Sequence, residues 1–374
     1  MPVKENTITT ESGVARHHFH TFDALRFFAF FKVFLLHIPI VARPWFNTLR
    51  AGGGIGVMFF FVLSGFLITY IVGLEKNATG TIQLKNFFVR RVLRIWPLYY
   101  LMVLVAYTTP FLIDHVLHIS SSGEGYEPKL WVSALFLENY MMMATHTHAN
   151  VSPLSVMWSL CIEEHFYIVW GITMYFMNVK TILKCMYAFL IVGIVCRYVY
   201  VLNDIPTSDL FTNIDLFAFG AIPAILLVQY PEQLKQKVLS IPYWLKAVFI
   251  LSLVTIVVLC GQLKTDAQYI WPTTLLGALF AGLLLIIIPE RNRIKINDTN
   301  ILSRLGVYTY GLYMYHTLVI NLLKQVFNMK HWSLDEPVVA MVFFAISLLA
   351  TVVCSVASYY LFEKQFLKLK RYFR

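Results

Sequence analysis

Nine ionisable side chains stand inside apolar stretches of this 374-residue sequence: Arg26, Lys32, His37, Glu163, Glu164, His165, Arg197, Asp215 and His316. A charge at membrane depth costs at least about 2.5–3.5 kcal/mol, so each needs a partner or a task. Snorkelling suits Lys32. The others form a pattern of depths. In DALRFFAFFKVFLLH, Arg26 and His37 are eleven residues apart. Eleven helical steps make three turns plus about 20°, so the two share a face about 16 Å apart, with Lys32 about 120° away. In WSLCIEEHFYIVW (158–170), Glu163 and Glu164 fall about 8–9 Å from the start of the segment. If the two segments run in opposite directions, the carboxylates and the His37 imidazole meet at one depth. A histidine oriented by a buried carboxylate is a general base for an alcohol. The alternative is a structural His–Glu pair locking two helices.

A second cluster lies at the opposite depth. NFFVRRVLRIWPLYY carries Arg90, Arg91 and Arg94, the last two sharing a helical side. With Arg26 they make a cationic mouth, and the planar donor fork of arginine suits phosphate. Topological anchoring explains any one of them equally well. Phosphate-binding groups on one side and acid–base groups on the other describe a phosphate-bearing donor whose reactive end reaches into the membrane.

The elements that hold these residues follow from composition. The chain is 58% hydrophobic and 13% charged, with mean hydropathy +0.66, against about 45–50% and about 25% in soluble domains. This excess excludes a water-soluble fold and predicts an all-α polytopic membrane protein. Ten spanning helices are expected, near 24–42, 55–74, 95–113, 158–177, 182–201, 211–229, 246–261, 270–289, 307–324 and 337–362. The segments between them on one side hold 21 of the 30 lysines and arginines, and the opposite side holds six. Positive charge marks the cytoplasmic side, so both termini are expected there. The layout is a cytoplasmic segment 1–23, a ten-helix domain 24–362 and a basic cytoplasmic tail 363–374. The loop 114–157 is extracytoplasmic, with a semi-apolar stretch, Trp131 to Met143, lying along the interface. The +10 net charge thus reflects topology and implies no nucleic-acid partner. The five cysteines have no paired spacing and read as small core residues. No metal-ligand motif is present, so no metal is expected. No cleaved signal peptide is expected, since residues 1–22 are polar and hold no apolar run.

Seven ordered segments carry a resemblance: LRFFAFFKVFLLH, GVMFFFVLSGFLIT, FFVRRVLRIWPLYY, WSLCIEEHFY, TNIDLFAFG, LGVYTYGLYMYHTLV and SYYLFEKQF. The chain resembles the membrane O-acyltransferases of the acyltransferase-3 family almost end to end. The resemblance implies an acyl group, usually acetyl, taken from cytoplasmic acyl-CoA. It is moved to a hydroxyl of an extracytoplasmic acceptor, often a cell-surface glycan, at the plasma membrane of a bacterium. By position Arg26, Arg91 and Arg94 match the arginines that engage CoA, and His37 matches the essential histidine of the first helix. Glu163 matches the more regular acid of its motif, while Glu164 sits where the family varies. His316 falls in the tyrosine-rich segment without an assigned role. Two positions depart from the pattern. Gln365 replaces the usual proline after Glu363–Lys364, a lost helix stop, and Thr309 replaces a serine but keeps the hydroxyl. Some relatives carry a hydrolase-like domain at the C-terminus, and none is expected here.

Supporting positions keep two readings each. Ser64 and Gly65 serve close helix packing or line the site. Tyr313 and its neighbours form an aromatic belt or core face, or carry the acyl group. Asp215 pairs with Arg197 or meets the acceptor. Transfer is either direct, with His37 as base, or passes through a covalent acyl-enzyme. A transporter of a glycan or acylated metabolite is the rival from another class, since buried charges mark transport too. The motif series and the lack of an internal half-repeat argue against it.

Overall fold

A computed structural model of the chain describes residues 7–9, 15–17, 19–41, 44–112, 124–262, 270–289 and 294–373. A short antiparallel hairpin, β1 (Thr7–Thr9) and β2 (Ala15–His17), precedes the helices. These are α1 (His20–His37), α2 (Pro44–Arg50), α3 (Gly54–Thr79), α4 (Leu84–Leu112), α5 (Leu130–Ala134), α6 (Glu138–Thr145), α7 (Trp158–Phe176) and α8 (Val179–Leu202). There follow α9 (Ile214–Gln229), α10 (Pro231–Ser240), α11 (Tyr243–Gly261), α12 (Trp271–Ile287), α13 (Ile301–Gly306), α14 (Thr309–Met329), α15 (Pro337–Ser358) and α16 (Lys364–Leu369).

Each of the ten expected segments overlaps one of the longer helices, but fewer meet the demands of a membrane by themselves. Among the described residues five helical stretches are long and apolar enough to cross: Pro44–Thr79, Leu84–Pro110, Thr181–Leu202, Tyr243–Gly261 and Pro337–Phe373. A sixth is added if α9 and α10, bent by 112°, count as one. The helices α1, α7 and α14 are not among the five. They carry Arg26, His37, Glu163, Glu164 and His316, and each of these five side chains is buried or half-buried in the bundle.

The centre of the bundle is α3, which packs on α1, α7, α9 and α12. Its crossing with α9 brings backbones into contact. A Cβ on Gly65 would stand 2.1 Å from the Phe217 carbonyl oxygen, and one on Gly220 only 1.8 Å from that of Val62. Small residues at such crossings permit the approach, so the packing reading holds for Gly65. A second core joins α1, α14 and α15 through Phe30, Phe34, Leu312, Phe327 and Phe343. Lys32 donates to the Leu49 carbonyl at 2.6 Å and Arg50 to the Leu36 carbonyl at 3.0 Å. Lys32 therefore ties α1 to α2 rather than simply snorkelling.

Three boundaries differ from expectation. The helix expected from residue 95 begins at Leu84, because nothing between Leu84 and Trp96 breaks it, and Pro97 is accommodated inside it. The C-terminal segment is not a free tail. The last long helix continues through a π-turn at Tyr359–Glu363 into α16 and a final turn at Lys370–Phe373. There the Phe373 carbonyl accepts from Arg90 at 2.8 Å, while Arg90 also meets Glu75 at 3.2 Å. With glutamine at 365 a helix stop is indeed missing. The loop stretch from Trp131 to Met143 folds as α5 and α6, leaving Trp131 and Leu135 exposed. It is anchored by the buried Glu138 carboxylate, which accepts from Ser133 and Tyr126. Residues 114–123 of that loop lie outside the described residues.

Candidate active site

Residues of α1, α3, α4, α7 and α14 line a cavity of about 240 Å³. One part of its wall is cationic: Arg26 from α1, with Arg91 and Arg94 from α4. Three residues apart on one helix, Arg91 and Arg94 are held to the same side. Neither makes an ion pair or hydrogen bond to another described residue, and Nε of Arg91 is buried without a partner. Arg26 is paired with Asp23, one turn earlier. Arg90 points elsewhere, to Glu75 and Phe373, and does not line the cavity. Two guanidiniums thus face the cavity without a hydrogen bond to another described residue, which leaves them available to a bidentate anion.

Ser64, Glu163 and Tyr167 share the wall with these arginines. Glu163 accepts a hydrogen bond from Ser64, joining α7 to α3. Ser64 is therefore a lining residue, in contrast to Gly65 beside it. Glu164 points to the side of α4, where Trp96 Nε1 donates to it at 3.3 Å, and its other oxygen is buried without a partner. The 100° step between consecutive helical residues separates the two acids, and only Glu163 reaches the cavity. His165 does not line the cavity, and its ring lies 5.5 Å from that of Tyr140.

The expected meeting of His37 with Glu163 or Glu164 does not occur. His37 Nδ1 stands 2.9 Å from the Val33 carbonyl and 3.3 Å from Nε2 of His316. The reason is the order of packing. The first helix lies against α3, α13 and α14, whereas α7 lies against α3, α4, α6 and α8. Equal depth brings side chains together only on neighbouring helices, and α3 is the neighbour of both. The acid therefore sits with the arginines, and the histidine sits with a second histidine.

Tyr313 stands between these two groups. It lines the cavity, its ring centroid is 5.6 Å from that of His316, and its hydroxyl donates to the Val156 carbonyl at 3.0 Å. Ser159 Oγ lies 2.7 Å from the same hydroxyl. Toward the far side, the charged or titratable groups facing His37 are Arg50 and the exposed His148. Arg197 and Asp215 form a buried pair at 2.5 Å, with Arg197 also donating to the Thr212 carbonyl and to Thr274. They do not line the cavity, which makes them a brace between α8 and α9.

Thr309 and Tyr310 line the cavity beside Tyr313, and so do Ser159 and Tyr167, which the sequence alone did not mark. A signal existed for three of these four. Ser159 and Tyr167 are four residues before and after Glu163, and Tyr310 is three before Tyr313, so each falls on the face already marked.

The chain matches the family described as "Acyltransferase domain" over residues 19–360. It is 28% identical over 322 residues to "Peptidoglycan O-acetyltransferase OatA" of Listeria monocytogenes, covering 82% of this chain and 50% of that protein. It is 25% identical over 370 residues to "Putative O-acetyltransferase SACOL0978" of Staphylococcus aureus, covering 92% and 57%. It is 34% identical over 148 residues to "Putative peptidoglycan O-acetyltransferase YrhL" of Bacillus subtilis, covering 40% and 22%. The first two matches span about half the length of those relatives. No solved structure matches. With the family matched over residues 19–360 and apolar helices fit to cross a membrane, this chain belongs to the acyltransferase family as one of its membrane-embedded members.

Proposed function

We propose that the protein is an O-acetyltransferase of the bacterial plasma membrane, moving an acetyl group from cytoplasmic acetyl-CoA to a hydroxyl of an extracytoplasmic glycan, with peptidoglycan as the first candidate. The observation that carries this reading is the cavity with the guanidiniums of Arg91 and Arg94 at its wall, neither bonded to another described residue. Membership of the family and the names of its relatives support the acyl chemistry and the glycan acceptor.

In this reading Arg26, Arg91 and Arg94 hold the phosphates of the donor, and the pantetheine arm runs along the cavity past Ser64, Glu163 and Tyr313. Before the donor binds, Glu163 offsets part of the charge of the neighbouring arginines. The acceptor enters from the side of Arg50 and His148. His37 removes the hydroxyl proton as the oxygen attacks the thioester carbon, the C–S bond breaks, and the proton passes to the departing thiolate as CoASH. Direct transfer needs no further co-reactant, and general-base assistance of this kind is worth about 10²–10⁴-fold. Glu164, away from the cavity, supports α4 through Trp96. The test of the reading is thiol release by the purified protein in nanodiscs supplied with acetyl-CoA and peptidoglycan fragments, with the acetylated fragments identified by mass spectrometry. Ester formation matched to thiol release is expected. Neither product appearing would overturn it, and transport without thiol release would point to the transporter reading.

The donor assignment predicts that Arg91→Ala and Arg94→Ala each weaken acetyl-CoA binding about ten- to a hundredfold, the loss of about 1.5–3 kcal/mol carried by a charged hydrogen bond. Arg26→Ala loses less, because part of its charge is already engaged by Asp23. Lysine at 91 or 94 rescues only in part, since the two-pronged donor geometry is lost. Calorimetric titration with acetyl-CoA measures this, and unchanged affinity in all three alanine variants would leave the arginines with topology alone.

The reading includes ten spans, both termini in the cytoplasm and the three-part layout 1–23, 24–362 and 363–374. Its support is the charge asymmetry of the connecting segments. Cysteines placed singly at Asn77 and Thr147, both exposed, in a chain stripped of its five native cysteines should label from opposite sides with an impermeant reagent. Labelling of both from one side would reverse the assignment of donor and acceptor faces.

A further inference from the structure

Two histidines from helices far apart in sequence meet inside the bundle, and their backbone partners fix which nitrogens carry hydrogen. His316 Nδ1 lies 2.6 Å from the Tyr313 carbonyl oxygen. A carbonyl can only accept, so Nδ1 of His316 is the protonated nitrogen, and in the neutral ring Nε2 is then a bare acceptor. That acceptor lies 3.3 Å from His37 Nδ1, which also faces the Val33 carbonyl at 2.9 Å. Two acceptors converge on one nitrogen, so His37 carries its hydrogen on Nδ1 and shares it between them. The consequence is on the far side of the ring: Nε2 of His37 has no hydrogen and presents a lone pair.

We infer that His316 is a positioning residue for His37, a neutral imidazole that fixes its tautomer and orientation and stabilises the imidazolium formed when Nε2 takes a proton. The inference rests on the reading of His37 as the base. When His37 becomes cationic, its Nδ1–H bond to His316 becomes charge-assisted and strengthens. Among the described residues the charged or titratable groups facing His37 are His316, His148 and Arg50, and those facing His316 are His37 and Tyr313, whose ring centroid is 5.6 Å away. No carboxylate approaches the pair among the described residues, so an acid does not do this work. His316 is fully buried, and the ring of Phe30 stands edge-on to it at 5.9 Å. Its own orientation is thereby fixed by α1, the helix that carries His37.

The experiment compares wild type, His316→Phe, His316→Gln and His37→Ala in nanodiscs. With ¹⁵N-histidine labelling, solid-state NMR reads the tautomer and the titration of His37 whether or not the protein turns over. In wild type both rings should be protonated on Nδ1 at neutral pH. In His316→Phe the imidazolium loses its acceptor, so the His37 titration midpoint should fall by about one to two pH units, the equivalent of a ten- to hundredfold change. The same factor should appear as a fall in kcat for acetyl transfer to peptidoglycan fragments, with KM for acetyl-CoA unchanged and the acidic limb of the rate profile moved to lower pH. Glutamine, whose amide oxygen can accept, should restore part of both. An unmoved His37 midpoint in His316→Phe would overturn the inference. So would a loss confined to KM, or a glutamine variant no better than phenylalanine. If His37→Ala keeps full turnover while the midpoint still shifts, the pair stands and the reading of His37 as the base fails.

Discussion

His37→Ala should lower the rate of acetyl transfer by about 10²–10⁴-fold, the range of general-base assistance, while acetyl-CoA binds as before. The separation arises because His37 does not line the cavity that holds the arginines. Its partners are Val33 and His316. Glu163 belongs to the other group, with Ser64 and the arginines on the cavity wall. Glu163→Gln should therefore act through the donor and change KM for acetyl-CoA. Two groups without a shared partner have independent effects, so the double variant should show the product of the two single losses. Steady-state kinetics on all three proteins, with folding checked by size-exclusion in detergent, measures this. A double variant no worse than His37→Ala alone would mean that the histidine and the acid work as one unit, against the arrangement described here. Wild-type turnover in His37→Ala would remove the base altogether.

The second large effect is on stability. Arg197 and Asp215 are 2% and 0% exposed at the side chain and 2.5 Å apart. Removing one partner leaves a buried charge without compensation and costs about 3–5 kcal/mol, whereas replacing both by apolar groups of similar volume is often neutral or stabilising. Arg197→Met and Asp215→Leu should each unfold at much lower denaturant than wild type, and the double variant should recover most of the loss. Unfolding in mixed micelles by SDS titration measures this. Activity should follow the folded fraction, because neither residue reaches the cavity. A double variant as unstable as either single one would show that the pair is held by more than mutual charge, with Thr212 and Thr274 the next groups to test.

Helix positions were legible in the sequence because apolar runs of spanning length are a strong signal. The ten expected segments coincide with the longer helices, and Arg197 with Asp215 could be paired from their positions near adjoining helix ends. The placement of Arg26, Arg91 and Arg94 around one space was also legible, since spacing along a helix sets the face and the sign of charge sets the side. Two things were not. The start of α4 at Leu84 was hidden because its first turns are polar, and hydropathy marks where a helix becomes apolar, not where it begins. The partners of His37 were hidden because axial depth says nothing of which helices are neighbours. Only the packed bundle puts α3 next to both α1 and α7, and α14 against α1. The contact of α3 with α1 depends on Gly56, where a Cβ would stand 2.3 Å from the Ala29 carbonyl oxygen. Residue type and helical period thus marked which side chains could carry chemistry and which side of its helix each one occupies. Helix adjacency, settled by side-chain volume at the crossings, decided that Glu163 sits with the arginines and that His37 sits with His316.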